Sequence, residues 1–259
     1  MRKSLSTFGL LVPMTFFPLA ACQQGDGGAP PPPVEIVAPA DLPIQEVLDR
    51  HLEALGGREA LSALHSVRKV GKIGTSDFIG KPITTEIRAG ERYLRRVEGD
   101  DGEIVMAYDG TTGWQEGAVP GTTEATPLGE AETAKLIAST DFGGPLVAAE
   151  AGGSRAALEG LTDFGYKVSL PTAAGLQRDF YLDKETFLVN RVEEVRNFSG
   201  NELLTVTTYD RYKPVAGVMI PFTEVTRIEE IDFDQAVRWE EIEANPELDD
   251  SLFAFPGGH

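Results

Sequence analysis

The chain has 259 residues, with 41 Asp and Glu against 23 Lys and Arg, for a formal net charge of −18 at neutral pH. Such a surface repels nucleic acid and anionic lipid head groups, so neither is expected as an electrostatic partner. A hydrophobic content of 41% supports a real core, in one large all-β domain or two smaller ones, and the single cysteine excludes an intramolecular disulfide.

Met1-Arg2-Lys3 is a short basic start, Phe8 to Leu19 is mostly apolar, and Leu19-Ala20-Ala21-Cys22 follows. This order describes a secretory signal over residues 1–21. The apolar stretch is too short, and too interrupted by Pro13 and Pro18, for a membrane-spanning helix. Leu19-Ala20-Ala21-Cys22 resembles the bacterial lipobox. That resemblance implies cleavage before Cys22, diacylglycerol on its sulfur and acylation of the new amino group. The competing reading is an ordinary signal with an incidental cysteine. Several acyl chains on one residue anchor stably, at about 0.8 kcal/mol per buried methylene. In lipoproteins of this kind an Asp after the cysteine favours the inner membrane, so Gln23 points to the outer membrane, with the protein facing the periplasm. Residues 22–42 are dominated by glycine and proline and read as a tether of roughly 40–60 Å. Residues 43–259 then form a single domain, expected as a monomer.

Asp41 can cap a helix entered through Pro43, with Ile44, Val47, Leu48, Leu52 and Leu55 at helical spacing and Gly56-Gly57 as the stop. A second short helix holds Leu61, Leu64 and Val67. His51 and His65 have no carboxylate at a ligand-like spacing, so they read as solvated or capping histidines.

Val67–Ile73, Ile83–Ala89, Tyr93–Val97 and Ile104–Tyr108 read as strands, with turns at Ala89-Gly90-Glu91 and Asp100-Asp101-Gly102. The spacing of Asp100, Asp101 and Glu103 does not match a calcium loop. Asp109 to Gly113 is a tight turn into a short strand bearing Trp114, which is either a core plug or part of a cavity mouth. Thr122 to Gly160 breaks the strand rhythm. A helix is expected from Thr126-Pro127 to about Asp141, followed by Phe142-Gly143-Gly144-Pro145-Leu146 and an Ala- and Gly-rich run. This insertion is either a mobile lid with apolar Phe142 and Leu146 or a plain cap on the sheet. Gly152-Gly153-Ser154-Arg155 fails the nucleophile-elbow pattern at Ala156.

Six runs follow: Tyr166–Leu170, Leu176–Leu182, Leu188–Asn197, Leu203–Tyr212, Met219–Ile228 and Ala236–Ile242. Short turns separate them, leaving no room for crossover helices, so they form an antiparallel meander. Adjacent carboxylates such as Glu193-Glu194 or Glu240-Glu241 point to opposite faces and cannot make one acid–base pair. Ion pairs across strands on the convex face are the better reading. Leu252, Phe253 and Phe255 are expected to pin the tail to the core.

The fold class is therefore mainly β (α+β): a curved antiparallel sheet of about 11 strands, an incomplete barrel, covered by two or three helices. No phosphate loop, Cys/His metal cluster or triad is found, so no metal, cofactor or catalytic residue is expected.

His51-Leu-Glu-Ala-Leu-Gly-Gly-Arg-Glu-Ala-Leu61, Leu64-His-Ser-Val67 and Gly71 resemble the start of bacterial outer-membrane lipoprotein-sorting carriers (LolA/LolB-like). So do Asp163-Phe-Gly-Tyr-Lys-Val168, Tyr181-Leu-Asp183, Tyr209-Asp-Arg-Tyr212, Gly217-Val-Met-Ile-Pro221, Asn245 to Phe253, and Pro256. The resemblance spans nearly the whole mature chain. It implies an incomplete barrel wrapped over helices, with an apolar cavity for acyl chains, and Cys22 makes the chain like the anchored receptor member. The expected function is binding of lipid or lipoprotein acyl chains at the membrane held by lipidated Cys22, with Trp114, Phe142 and Leu146 as ligand-binding residues. The alternatives are a non-catalytic envelope scaffold that binds a protein partner, and a hydrolase with an unsuspected site.

Overall fold

The computed structural model describes residues 34–77, 79–99, 102–117, 124–152, 155–171, 177–198 and 201–256. The expected signal, Cys22 and most of the tether lie outside them, as do Asp100, Asp101, Gly153 and Ser154. Two helices open the domain, α1 (Ile44–Ala54) and α2 (Gly57–Ala63). Then come β1 (Ser66–Gly74), β2 (Ile79–Arg88), β3 (Arg92–Glu98), β4 (Glu103–Tyr108), β5 (Gly113–Glu116) and β6 (Thr126–Pro127). Helices α3 (Glu130–Ala138) and α4 (Gly144–Glu150) follow. The second half holds β7 (Ala157–Thr162), β8 (Gly165–Pro171), β9 (Gln177–Leu182), β10 (Val189–Phe198), β11 (Asn201–Asp210), β12 (Lys213–Val215), β13 (Val218–Ile220), β14 (Thr223–Ile228) and β15 (Phe233–Ala244).

Thirteen of these strands form one antiparallel sheet in the order β6-β5-β4-β3-β2-β1-β15-β14-β11-β10-β9-β8-β7. The first and last long strands meet in the middle, from Val67 opposite Ala244 to Gly74 opposite Ala236. The register slips between Val70 and Gly71. A Cβ on Gly71 would come within 2.3 Å of the Arg238 carbonyl oxygen, so only glycine lets the two backbones approach there and the sheet curl. The edges β6 and β7 do not pair with each other, and the barrel stays open. Since α3 and α4 connect those two edges, they must cross the opening.

Thirteen strands stand where eleven are expected. The two additions, β6 and β7, fall in the insertion: β6 is a two-residue ladder, and β7 (Ala-Leu-Glu-Gly-Leu-Thr) does not alternate apolar with polar residues, so neither carries a strand-like pattern. The helix expected from Thr126-Pro127 starts only at Glu130, because those two residues pair with Gln115 and Trp114 of β5. Met219–Ile228 also divides at Pro221-Phe222. Its first part pairs with β12 in a separate hairpin, and only the second joins the large sheet. Asp41 does not cap α1; the N-cap is Pro43, and Asp41 accepts a hydrogen bond from the Tyr166 hydroxyl at 2.7 Å. Ala38 pairs with Leu161 of β7, so part of the stretch read as tether is held against the sheet.

The C-terminal segment clasps the convex face. Leu248 and Phe253 are buried against Leu94, Val105, Ala107 and Trp114. Asn245 makes the corner, with its φ at 54°, a left-handed conformation Asn tolerates better than most residues. Its side-chain oxygen accepts from the His65 amide at 2.7 Å, and its amide nitrogen donates to the Ala63 carbonyl at 3.1 Å. The Asn245-Pro246 motif therefore ties the end of the sheet to the helix that precedes its first strand.

Candidate functional site

The concave side of the sheet is filled from above by three packing units. Val47 and Leu48 of α1, with Leu146 and Ala149 of α4, bury against Tyr166, Val168 and Leu170 of β8 and Phe180 and Leu182 of β9. Leu64, after α2, and the β12–β13 hairpin bury against Val67, Ile73, Ile83, Val237 and Trp239 on the central strands. Leu136 of α3 packs on Ile87, Tyr93 and Met106. Half-buried Phe142, between α3 and α4, touches both of the latter units.

Where the units meet they leave a cavity of about 280 Å³, near the lower end of the roughly 300–1,000 Å³ typical of ligand pockets. Its wall is mostly apolar: Leu55, Ile87, Phe142, Pro145, Leu146, Phe180, Val189, Val192, Met219, Ile220 and Pro221. The polar groups on it are few: His51, Lys69, Ser139, Asp141, Tyr209 and Tyr212. An apolar surround with a small number of fixed polar groups is the composition of a small-molecule site.

His51 is buried, not solvated or capping as expected from its position. Its Nδ1 lies 2.8 Å from the Phe187 carbonyl oxygen, so Nδ1 carries the proton and donates it. Burial lowers its pKa, outweighing that hydrogen bond, and the ring is neutral at physiological pH. The Tyr212 hydroxyl donates to the Val189 carbonyl at 2.7 Å. Burial raises the pKa of both Tyr209 and Tyr212, so both stay protonated.

Lys69 projects from β1 into the cavity. Its Nζ lies 5.3 Å from the centre of the Trp239 ring, a cation–π distance. Desolvation lowers the ammonium pKa, Glu224 opposes that shift and Arg95 adds to it. Glu224 itself accepts a hydrogen bond from Trp239 Nε1 at 2.9 Å. Farther along the same concave face, Glu194 binds Arg178 at 2.8 Å and Arg196 at 3.0 Å. Burial alone would raise its pKa, but the two guanidinium groups prevail and lower it. Glu193, one residue before, points the other way and takes the Tyr181 hydroxyl at 2.7 Å on the convex face. Adjacent carboxylates do face apart, yet the ion pairs expected on the convex face occupy both faces.

Of the residues singled out from sequence, Phe142 and Leu146 line the cavity. Trp114 does not: it is on the opposite side of the sheet, 3% exposed, its Nε1 donating to the Phe253 carbonyl at 2.9 Å and its ring edge-on to Phe255. Its short strand turns that face outward under the C-terminal clasp. Cys22 lies outside the described residues. His51, Lys69, Tyr209 and Tyr212 are the wall residues that sequence reasoning missed. A signal existed for two of them. His51 falls on the stripe of Val47, Leu48 and Leu52, and strand alternation puts Lys69 on the same face as Val67 and Ile73.

Among the described residues no cluster of His, Cys, Asp and Glu could hold a metal, and no helix is long and apolar enough to cross a membrane.

No family model matches the chain, and no curated protein matches it. Solved structures do. A LolA superfamily protein from Nitrosomonas europaea superposes with a TM-score of 0.55 at 12% identity, over 82% of this chain and 98% of that one. A DUF1329 family protein from Desulfovibrio piger gives 0.56 at 11% identity, over 82% and 97%. A domain described as an outer membrane lipoprotein-sorting protein, from Vibrio parahaemolyticus, gives 0.52 at 10% identity, over 82% and 97%. At such identities the likeness establishes the fold: the chain has a LolA-like fold.

Proposed function

We propose that this chain is a lipid-anchored protein of the bacterial cell envelope that shelters the hydrocarbon of a lipid or of an acylated protein in the cavity beneath α1 and α4, and takes part in lipid or lipoprotein transfer. The observation that carries the reading is the partly open apolar pocket between the helices and the sheet. Its space of about 280 Å³ is walled by eleven apolar side chains, a concave apolar surface of the kind that takes a hydrocarbon ligand. Transfer of hydrocarbon into it gains roughly 25 cal/mol for each Å² removed from water. A neighbour in fold is described as a lipoprotein-sorting protein, which agrees with this use. Leu19-Ala20-Ala21-Cys22 supplies the anchor, through acylation of Cys22, and Gln23 favours the outer membrane.

In this reading Phe142 and Leu146 are ligand contacts and the α3–α4 connection is the movable cover. Residues 139–143, Ser-Thr-Asp-Phe-Gly, link the two helices, and Gly143 with Gly144 at the start of α4 leaves the backbone free to swing. The test uses the full chain carrying Cys22→Ala, purified and freed of detergent. Extracted lipid or saturable uptake of N-phenyl-1-naphthylamine, an uncharged apolar fluorophore, supports the reading. No extracted lipid and no uptake overturn it. Retention of the Cys22→Ala protein with membranes would overturn the anchor.

A further inference from the structure

The cavity holds a charge that the hydrophobic effect does not explain. Lys69 sits on the concave face of the central strand β1, between Val67 and Ile73, which are 0% and 4% exposed. An ammonium group taken out of water is costly unless a partner compensates it. Among the described residues no carboxylate lies within ion-pair distance of its Nζ; it rests over the Trp239 ring instead. The carboxylate that acts on it, Glu224, is held by Trp239 Nε1. The register then places a second cation on the same concave face, since Lys69 is opposite Thr85 and Thr85 is opposite Arg95. Two cations thus face one carboxylate, in a chain whose total charge is −18.

A free donor stands beside this excess. Tyr209 lies opposite Glu224 on β11 and β14 and lines the cavity. Among the described residues its hydroxyl donates to no partner, whereas Tyr212 next along the wall is committed to the Val189 carbonyl. The other titratable groups on the wall do not compete for an anion or supply one. His51 is neutral and bound to Phe187, and Asp141 is exposed at the rim, where it accepts from the Gly143 amide. Lys69 is half-buried on this face, and a methionine or leucine there would pack against Val67 and Ile73 without the cost of a partly desolvated charge.

We propose that Lys69 and Tyr209 form the head-group end of the cavity, so that its ligand is a single-chain amphiphile with an anionic carboxylate or phosphate head. The head binds at the floor of the sheet, over β1, and the hydrocarbon runs under Phe142 and Leu146 of the helical cover. Glu224 stays in place as counter-charge when the cavity is empty. This rests on the cavity being a lipid site, as proposed above, and adds the chemistry of what it selects.

The experiment is displacement of N-phenyl-1-naphthylamine from the full chain carrying Cys22→Ala, by decanoate, decyl phosphate and 1-decanol. The wild-type site is expected to prefer both anions to the alcohol by at least tenfold. Lys69→Met is expected to melt no lower than wild type and to abolish that preference. Lys69→Arg should keep most of it, and Tyr209→Phe should reduce it two- to fivefold. A preference for one anion alone identifies the head as carboxylate or phosphate. No preference in the wild type, or an undiminished preference in Lys69→Met and Lys69→Gln, overturns the head-group assignment while the lipid cavity stands. Failure of the fluorophore to enter the wild-type protein removes the cavity reading and this inference together.

Discussion

Gly56, at the corner between α1 and α2, lies directly against the carbonyl oxygen of Gly217 in the β12–β13 hairpin: a Cβ on Gly56 would come within 2.1 Å of that oxygen. The Met219 amide donates to the Leu55 carbonyl at 2.9 Å one residue away. Two sequence motifs 160 residues apart thus meet edge to edge, and their contact seats α1 over the cavity. Gly56 also has a φ of 114°, outside the comfortable range of any other residue. Gly56→Ala therefore adds a clash to a conformational cost of about 1–3 kcal/mol. Its melting temperature should fall by roughly 2–4 °C for each kcal/mol in a domain of this size. Gly57 is the control. Its φ of 80° also disfavours alanine, but nothing lies within 4 Å of an added Cβ. Gly57→Ala should therefore cost clearly less in the same thermal melt.

Trp114 belongs to the clasp and not to the cavity, and that separates two measurements. Trp114→Phe leaves the Phe253 carbonyl without its donor. An unsatisfied buried acceptor costs about 1–3 kcal/mol, which a shift in urea midpoint will report. Fluorophore uptake by the folded protein should not change. Impaired uptake in a fully folded variant would mean the convex face communicates with the cavity.

The strands were legible because their alternation and turns are local. β8 to β11 and β15 fall within a few residues of the runs that announce them. What hid β7 is spacing: Leu158 and Leu161 are three residues apart, with Glu159 and Gly160 between them, so the strand has no two-residue alternation to read. The cavity was legible only as a consequence of the fold. Phe142 announces itself as an apolar residue beside glycines, but Trp114 carries the same kind of signal and faces the other way. Which face of a short strand becomes the inside depends on where the C-terminal segment returns, a contact between residues 114 and 253 that no local pattern contains. Lys69 was overlooked because charges on strands are usually solvated, and Arg68 and Lys72 beside it follow that rule, reaching Glu86 and Glu240.

Acid should weaken the fold through His51 before it does so through any carboxylate. Burial holds the His51 pKa below its ordinary value of 6.5. As the pH falls below 6.5 the unfolded chain takes up a proton that the folded chain does not yet bind. Stability rises with pH wherever the unfolded state binds more protons, so the His51 contribution is complete above about pH 7 and declines as the pH falls through 6.5. Asp183, stabilised chiefly by the Thr186 amide, and Glu194, where Arg196 and Arg178 overcome the effect of burial, also have lowered pKa values. Their contributions are present above about pH 4.5 and fade below it. The interval from pH 7 to 5 therefore isolates His51. In urea titrations His51→Gln, whose amide can still donate to the Phe187 carbonyl, should flatten the loss of unfolding free energy across that interval.

The cover sets how long a chain the cavity takes. Phe142 is half-buried, lines the cavity and packs against both the α2 and α3 units. Truncating it removes contacts from two sides and lengthens the void toward the rim. Full burial would make Phe→Ala cost about 3–5 kcal/mol, so a half-buried ring should cost less, and the protein should remain folded. Phe142→Ala should then shift displacement of the fluorophore by a series of fatty acids toward longer chains than the wild type prefers. Val192→Trp acts from the opposite wall, on β10, where Val192 is paired with Phe180. An indole there fills the space with little room to relax, and uptake of every chain length should drop. If Phe142→Ala and Val192→Trp both fold and both bind the same chains as the wild type, the ligand lies elsewhere on the molecule. If Phe142→Ala admits longer chains and Val192→Trp lowers uptake of all of them, the two walls enclose one site and the α3–α4 connection is its cover.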